Sequence, residues 1–381
     1  MMMRLGSRSG QRGFILVTVY MLLPIFIILA GVMVASAIGE IHASQRSQAS
    51  TQALYLAEAG IDDAIVQLRG NNVWLGGSGV LGSQGTYSVA VASLSATRIN
   101  LTAVGNSTLL PDSVTRTVEA IVDVTPNPLF RFAMFGNRSV TLNGQVQIDS
   151  YDSSKGAYGG VNKGSQGDVG TNGTTSSVVR LNGNVTVKGN ALVGPGADPA
   201  TAITMTNNDV ITGTRSAQSS AFVLPAITIP PGLANGGALS ISGNTTKTYA
   251  GGTYYWNSIS ISGNGKLTFT GPATVYLKEK LTVSGKGIST ASNKPPNLIV
   301  YVQGIAANPT VSLSGNANFY GAIYAPNSSV NLNGNGALYG AVIGKTVTNS
   351  GNGNIHYDTS TRAAVAGSGS TVQVRSWQDV S

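Results

Sequence analysis

The chain contains no cysteine and only two histidines, His42 and His356, in 381 residues. Without thiols there is no disulfide framework, no thiolate-bound zinc or iron–sulfur site and no cysteine nucleophile. Two imidazoles leave little for a multi-histidine metal centre or for Ser-His-Asp chemistry. Charge is scarce too: 10% of residues are charged, against about 25% in an ordinary globular domain. The balance is basic, with 23 Lys and Arg against 15 Asp and Glu and a formal net charge of +8. What the chain has in quantity is glycine, 49 residues, and a hydrophobic fraction of 42%. The length admits two or three domains. This composition points to a β-rich extracytoplasmic scaffold and away from an enzyme, and no cofactor is expected.

Residues 14–38 form an apolar run of 25 residues without a charge. As a helix it would extend roughly 37 Å, enough to cross a hydrocarbon core of ~30 Å. Arg4, Arg8 and Arg12 precede it with no acid among them, while Glu40, His42 and Arg46 follow. Basic residues favour the cytoplasmic side, so a single pass with the N-terminus inside and the rest outside is expected. Pro24 is tolerated within a membrane and is a place for a kink. A secretory signal cut near Ala35-Ser36-Ala37 is the plainer alternative, but the run exceeds the ~7–15 residues of such signals. Beyond the membrane, Leu54, Ala57, Ile61, Ala64, Ile65 and Leu68 recur at helical spacing.

A short basic leader ending in Gly13, the aromatic Phe14 that opens the apolar run, and the phrase ALYLAEAG at 53–60 together resemble type IV pilin-like proteins. More specifically, they resemble the minor-pilin and pseudopilin group with a PilX-like N-terminus. That resemblance implies cleavage after Gly13 by a prepilin peptidase and methylation of the new N-terminal Phe14. It also implies a bacterial inner-membrane protein, later at the cell surface, whose partners are other pilins, the inner-membrane assembly platform and membrane lipid. The helix face Leu54, Ala57, Ile61, Ile65 and Leu68 would serve assembly. Most pilins carry Glu at the fifth mature residue, where this chain has Thr18. A buried carboxylate in lipid is costly unless paired, so its absence suits a minor or tip subunit better than a shaft subunit.

Residues 71–84 are glycine-rich and read as a loop. Alternating runs at 86–93, 98–104 and 114–124 predict an antiparallel meander packed on the helix. Pro126 and Pro128 mark a boundary. Then short alternations end in Ser/Asn-Gly: VTLNG at 140–144, LSISG at 239–243, ISISG at 259–263, VSLSG at 311–315 and VNLNG at 330–334. Gly315 and Gly334 stand 19 apart, as do Tyr320 and Tyr339, and Gly351 follows 17 later. A period of that size fits one turn of a right-handed parallel β-helix, with glycine at positive-φ corners and neighbouring asparagines stacked as a ladder. Residues 321–358 also resemble bactofilin-like β-solenoids. No repeat is visible from Gly189 to Gly243, where Pro225, Pro230 and Pro231 predict a long excursion.

The expected organisation is therefore mainly β with one long N-terminal transmembrane helix. A leader spans 1–13, the transmembrane helix 14–38, its periplasmic continuation 39–70, a pilin-like meander 71–128, a β-solenoid 129–360 and a frayed tail 361–381. Asp149 and Asp152, with Asp168 nearby, are weak candidates for a calcium site, because Asp in such a loop more commonly caps turns. His356 reads as a hydrogen-bonded cap at the solenoid's end, and Tyr254, Tyr255 and Trp256 as core or edge cover before sugar-stacking groups. Removing the leader leaves 20 basic against 15 acidic residues, +5, without a basic run. No residue reads as catalytic. The leading expectation is a filament-associated structural subunit. The alternative is an anchored adhesin that contacts surface glycan, with DNA a lesser ligand reached through a diffuse field.

Overall fold

A computed structural model describes residues 11–71, 74–95, 97–206, 208–316 and 318–380; the side chains of 11–17 and 366–369 are not described. Most of the expected leader, residues 1–10, lies outside the described residues, whereas Gly13 and Phe14 lie on helical backbone. The chain is mostly β, with one long N-terminal helix, and divides into two compact units. Residues 1–125 and 370–381 form the first; residues 126–369 form the second and are inserted before the last strand of the first.

In the first unit, helix α1 (Gln11–Gly70) runs 60 residues, with Pro24 inside it. It is the one helix among the described residues long and apolar enough to cross a membrane. Its apolar half is uncovered: Tyr20, Phe26, Ile28 and Met33 are each at least 64% exposed. Its second half buries a stripe of Ala49, Ala53, Leu56, Ala57, Ile61, Ala64 and Leu68. That three-to-four spacing sets one face on a sheet. Strands β1 (Gly76–Leu81), β2 (Gly85–Ser93), β3 (Arg98–Ser107) and β4 (Val114–Pro128) lie side by side, each pair antiparallel. Leu101 and Ala103 of β3 and Val118, Ala120 and Val122 of β4 alternate inward against the helix. At Gly105 an added Cβ would stand 2.1 Å from the Ala53 carbonyl oxygen, so helix and sheet meet backbone to backbone.

Two expectations need correction here. Residues 71–84 are not all loop, because β1 pairs with β2 along its length. It does so with little side chain of its own, since the Tyr87 ring occupies the space a Cβ on Gly79 would need. Nor is the chain end frayed: Ala366–Asp379 is the fifth strand, beside β4. Its direction is antiparallel, because Val380 bonds to Thr117 while Arg375 reaches Asp123. Val372 packs into the helix–sheet core, and Asp123 binds Arg98 and Arg375 together.

The second unit is a stack of parallel strands. One buried file runs Leu239, Ile259, Leu281, Val311, Val330, Val347, Val140, Val179 and Ile203, each directly beside the next. None exceeds 6% exposure, so each turn's apolar edge is covered by its neighbours. The file departs from chain order at Val347 and Val140. There the last turn, Leu338–Asn349 and Ile355–Asp358, lies on β5 (Met134–Gly144) and β6 (Gln147–Tyr151). Residues 129–217 thus build one arm outward from the middle, and residues 238–358 start at the far end and build back toward it.

The excursion joining the arms is shorter than expected. Ala191–Val193, Ile203–Met205, Val210–Ile211 and Arg215–Ala217 belong to the stack. Only residues 218–237 leave it, and they run back along its length. Phe222 is held by Asn172, Pro225 by Tyr324, Ile227 by Gln303 and Gly236 by Tyr255. The prolines suit a segment that makes few ladder bonds. Asparagine pairs bridge turns as expected at Asn244–Asn264 and Asn316–Asn335. The glycines divide: Gly243 and Gly263 have φ near +60°. Gly334 instead faces the Gly315 carbonyl oxygen, which a Cβ would approach to 2.0 Å.

Candidate functional site: a tyrosine cleft on the parallel domain

The register that builds the core also aligns a second file, Tyr320, Tyr339, His356 and Asp149, on four neighbouring strands. Tyr320 and Tyr339 stack with centroids 4.4 Å apart and planes within 8°. His356 follows at 4.9 Å from Tyr339 and stacks on Tyr158 at 3.7 Å. Its Nδ1 lies 2.6 Å from Asp149 Oδ1. The other Asp149 oxygen accepts bonds from the Tyr158 hydroxyl at 2.6 Å and from Gln147 at 2.8 Å. Burial alone would raise the Asp149 carboxyl, but its bonds to His356, Tyr158 and Gln147 outweigh that and hold it below the usual range. Tyr158 is raised by burial and by the same bond.

Around this file opens a cleft of about 530 Å³, lined by Tyr151, Tyr158, Tyr320 and Tyr339, by Ser153–Ala157 on one loop and by Ser292, Asn293 and Lys294 on another. Both loops are pinned. The Asn162 amide donates to the carbonyls of Asp152, Gly156 and Ala157 and accepts from the Asp152 amide. Ser292 Oγ accepts from the Lys294 amide and from Asn297. Asn293 has φ 49°, a left-handed turn that asparagine tolerates better than most residues. Lys155 pairs with Asp152 at 3.2 Å, and Lys163 lies 5.0 Å over the Tyr158 ring.

The expected site residues are dispersed. Asp149 and Asp152 do not converge: Asp149 is buried in the file, while Asp152 holds Ser154 and Lys155 on the loop. Asp168 binds Asn190 elsewhere in the stack. Among the described residues no group of three or more His, Asp or Glu could ring a cation. His356 is not an end cap; the last turn stacks on the first, which puts it in the middle. Ala57, Ile61, Ile65 and Leu68 are buried on the chain's own sheet, with Leu54 packed at their edge, so that stripe is occupied within the chain. Tyr254 and Trp256 stack at 5.1 Å with Tyr249 and Phe269 around them, and Trp256 is buried. Tyr151, Tyr158, Tyr320, Tyr339 and Lys294, which line the cleft, are not among the site residues expected from sequence. The equal spacing of Tyr320 and Tyr339 was the signal available.

Residues 256–364 match a family described as a domain of unknown function, DUF7305. No curated protein matches the chain. Among solved structures, the competence-associated pilin ComZ from Thermus thermophilus is similar at 12% identity and a TM-score of 0.28, over 87% of this chain and 97% of that one. A glycosylated ice-binding protein from an Arctic yeast, LeIBP, is similar at 14% identity and a TM-score of 0.31, over 62% and 95%. Likeness at that level carries no functional weight.

Proposed function

We propose that the protein is a membrane-anchored structural subunit of a type IV pilus-like system, of the minor-pilin kind, cut after Gly13 and methylated on Phe14. The observation that carries this is the division of labour along α1. One face of its second half, Ala57, Ile61, Ala64 and Leu68, is buried on the chain's own sheet, while large apolar residues from Val19 to Ile41 are left uncovered. An uncovered apolar helix of that length needs lipid or other helices around it. A pilin-type helix has lipid before assembly and neighbouring subunits after it. The basic leader, Gly13, Phe14 and Thr18 support the same reading from sequence. In this reading the N-terminus is cytoplasmic, the partners are prepilin peptidase, other pilins and the assembly platform, and the parallel domain is displayed outside.

The test is Gly13→Val in the native host. The variant is expected to keep its leader and to be missing from sheared surface filaments, with the native chain beginning at Phe14 by mass spectrometry. Recovery of the variant in filaments at native levels overturns the proposal. A second reading, an anchored surface adhesin, is favoured by the tyrosine cleft. It differs in that the chain would remain in the membrane and out of filaments while the parallel domain bound its target.

A further inference from the structure

We infer that the tyrosine cleft binds one acidic sugar residue of a polysaccharide, a pyranose ring carrying a carboxylate. This does not rest on entry into a filament. The volume, about 530 Å³, is that of a small-ligand site. Tyr320 is the last ring of its file. One face lies on Tyr339, and among the described residues it makes no other ring contact while lining the cleft. A tyrosine face suits the C–H face of a sugar ring, and Asn293 lines the same cleft to meet its hydroxyls, whereas the Ser153 and Ser154 hydroxyls are held by Ser360 and Asp152.

The charge selects an acid. Lys155 is taken by Asp152 and Lys163 lies on the Tyr158 ring. Lys294 is exposed and has no ion pair among the described residues. One unpaired lysine and one ring stacked by a single other ring, lining the same cleft, fit a single carboxylate on a single sugar ring. A single-stranded nucleic acid would need several lysines along a track and several rings open to stacking by bases. Here Tyr158 is covered by His356 and Lys163, and Tyr339 lies between Tyr320 and His356. The pinned loops mean that little ordering is left for the ligand to impose.

The experiment titrates the full chain, purified in detergent, with trigalacturonate and a hyaluronan tetrasaccharide, and with neutral trigalactose and oligothymidylate as comparisons. Binding is read by calorimetry and by chemical shifts of labelled tyrosine. At least one acidic probe is expected to bind, and trigalactose about tenfold more weakly or not at all. Lys294→Gln and Tyr320→Ala should each weaken the acidic probe about tenfold, while Tyr320→Phe keeps it. Lys294 sits on an exposed loop, so its substitution leaves the fold intact and the test usable if Tyr320→Ala unfolds. Failure of both acidic probes overturns the inference, as does equal binding of trigalactose or indifference to Lys294→Gln. Tighter, Lys294-dependent binding of oligothymidylate overturns it in favour of nucleic acid. None of these readouts depends on filaments, so this inference and the assembly proposal can fail separately.

Discussion

The two units solve the same problem, covering an apolar face, by opposite means. In the first, each strand pairs with its neighbour in the chain until the end closes the sheet, and a helix covers the result. In the second, strands pair with partners a full turn away, and at the central joint His356 meets Asp149 across 207 residues. Antiparallel neighbours are joined by turns that leave marks in a sequence, whereas a parallel joint between distant turns has no connecting segment to read. The helix and the first four strands of the first unit are held by contacts local in the chain, with only the last strand added from afar; the second unit must bring its two ends together before its core is continuous.

Matched glycines test that separation most severely. Gly105 lies against the Ala53 carbonyl and Gly334 against the Gly315 carbonyl, so an added methyl has nowhere to go at either place. Gly105→Ala and Gly334→Ala should each destabilise by about 3 kcal/mol. Hydrogen exchange read segment by segment should rise in residues 49–107 for the first and in residues 238–358 for the second. If either variant loosens both units equally, the two units are not held independently.

Next in size is the buried joint. Asp149→Asn removes the charge that His356, Tyr158 and Gln147 all address and should cost about 2 kcal/mol near neutral pH. Because Asp149 is held below its usual range, its contribution is complete above the unfolded carboxylate value of about 3.9 and fades as pH falls through its lower folded value. Urea midpoints of wild type and variant should therefore converge in acid. A difference that persists unchanged at the lowest pH would mean that packing, and not ionisation, sets the joint's strength. Smaller again, Tyr324→Phe removes the bond to Pro225 that pins the returning segment, about 1 kcal/mol. Faster proteolysis within residues 218–237, with the first unit unaffected, is the expected result.

Much of this was legible in the sequence, for reasons that differ along it. The helix face and strands β2 to β4 showed because a one-sided core imposes periods of 3.6 and 2 on residues such as Ile61, Leu68, Leu101 and Val118. The parallel stack showed in the equal spacing of Gly315, Gly334 and Gly351, since turns of one size must align. Strand β1 was hidden because its glycines leave room for Tyr87 and carry no alternation. The last strand had alternation, TVQVRSW at 371–377, but its partner lies on the far side of the inserted unit. The permuted order was invisible, and with it the cleft: nothing near His356 in the chain announces Asp149 or Tyr158.

The smallest effect sharpens the contrast between the two carboxylates. Asp123 lies under Arg98 and then Arg375, which together lower it to about 2. That value alone would suggest an anchor as strong as Asp149. The arginines, however, are 51% and 53% exposed, and ion pairs open to water contribute little and are screened by salt. Asp123→Asn should therefore leave the melting temperature nearly unchanged, and its slight effect should vanish at ~1 M salt, where screening acts within ~3 Å. Exchange along Ala366–Asp379 should rise modestly at low salt only. The Asp149 joint, closed off from solvent, should keep its full effect at the same salt. If Asp123→Asn instead released the last strand at every salt concentration, the ion pairs, and not Val372 in the core, would be what holds the chain's end in the sheet.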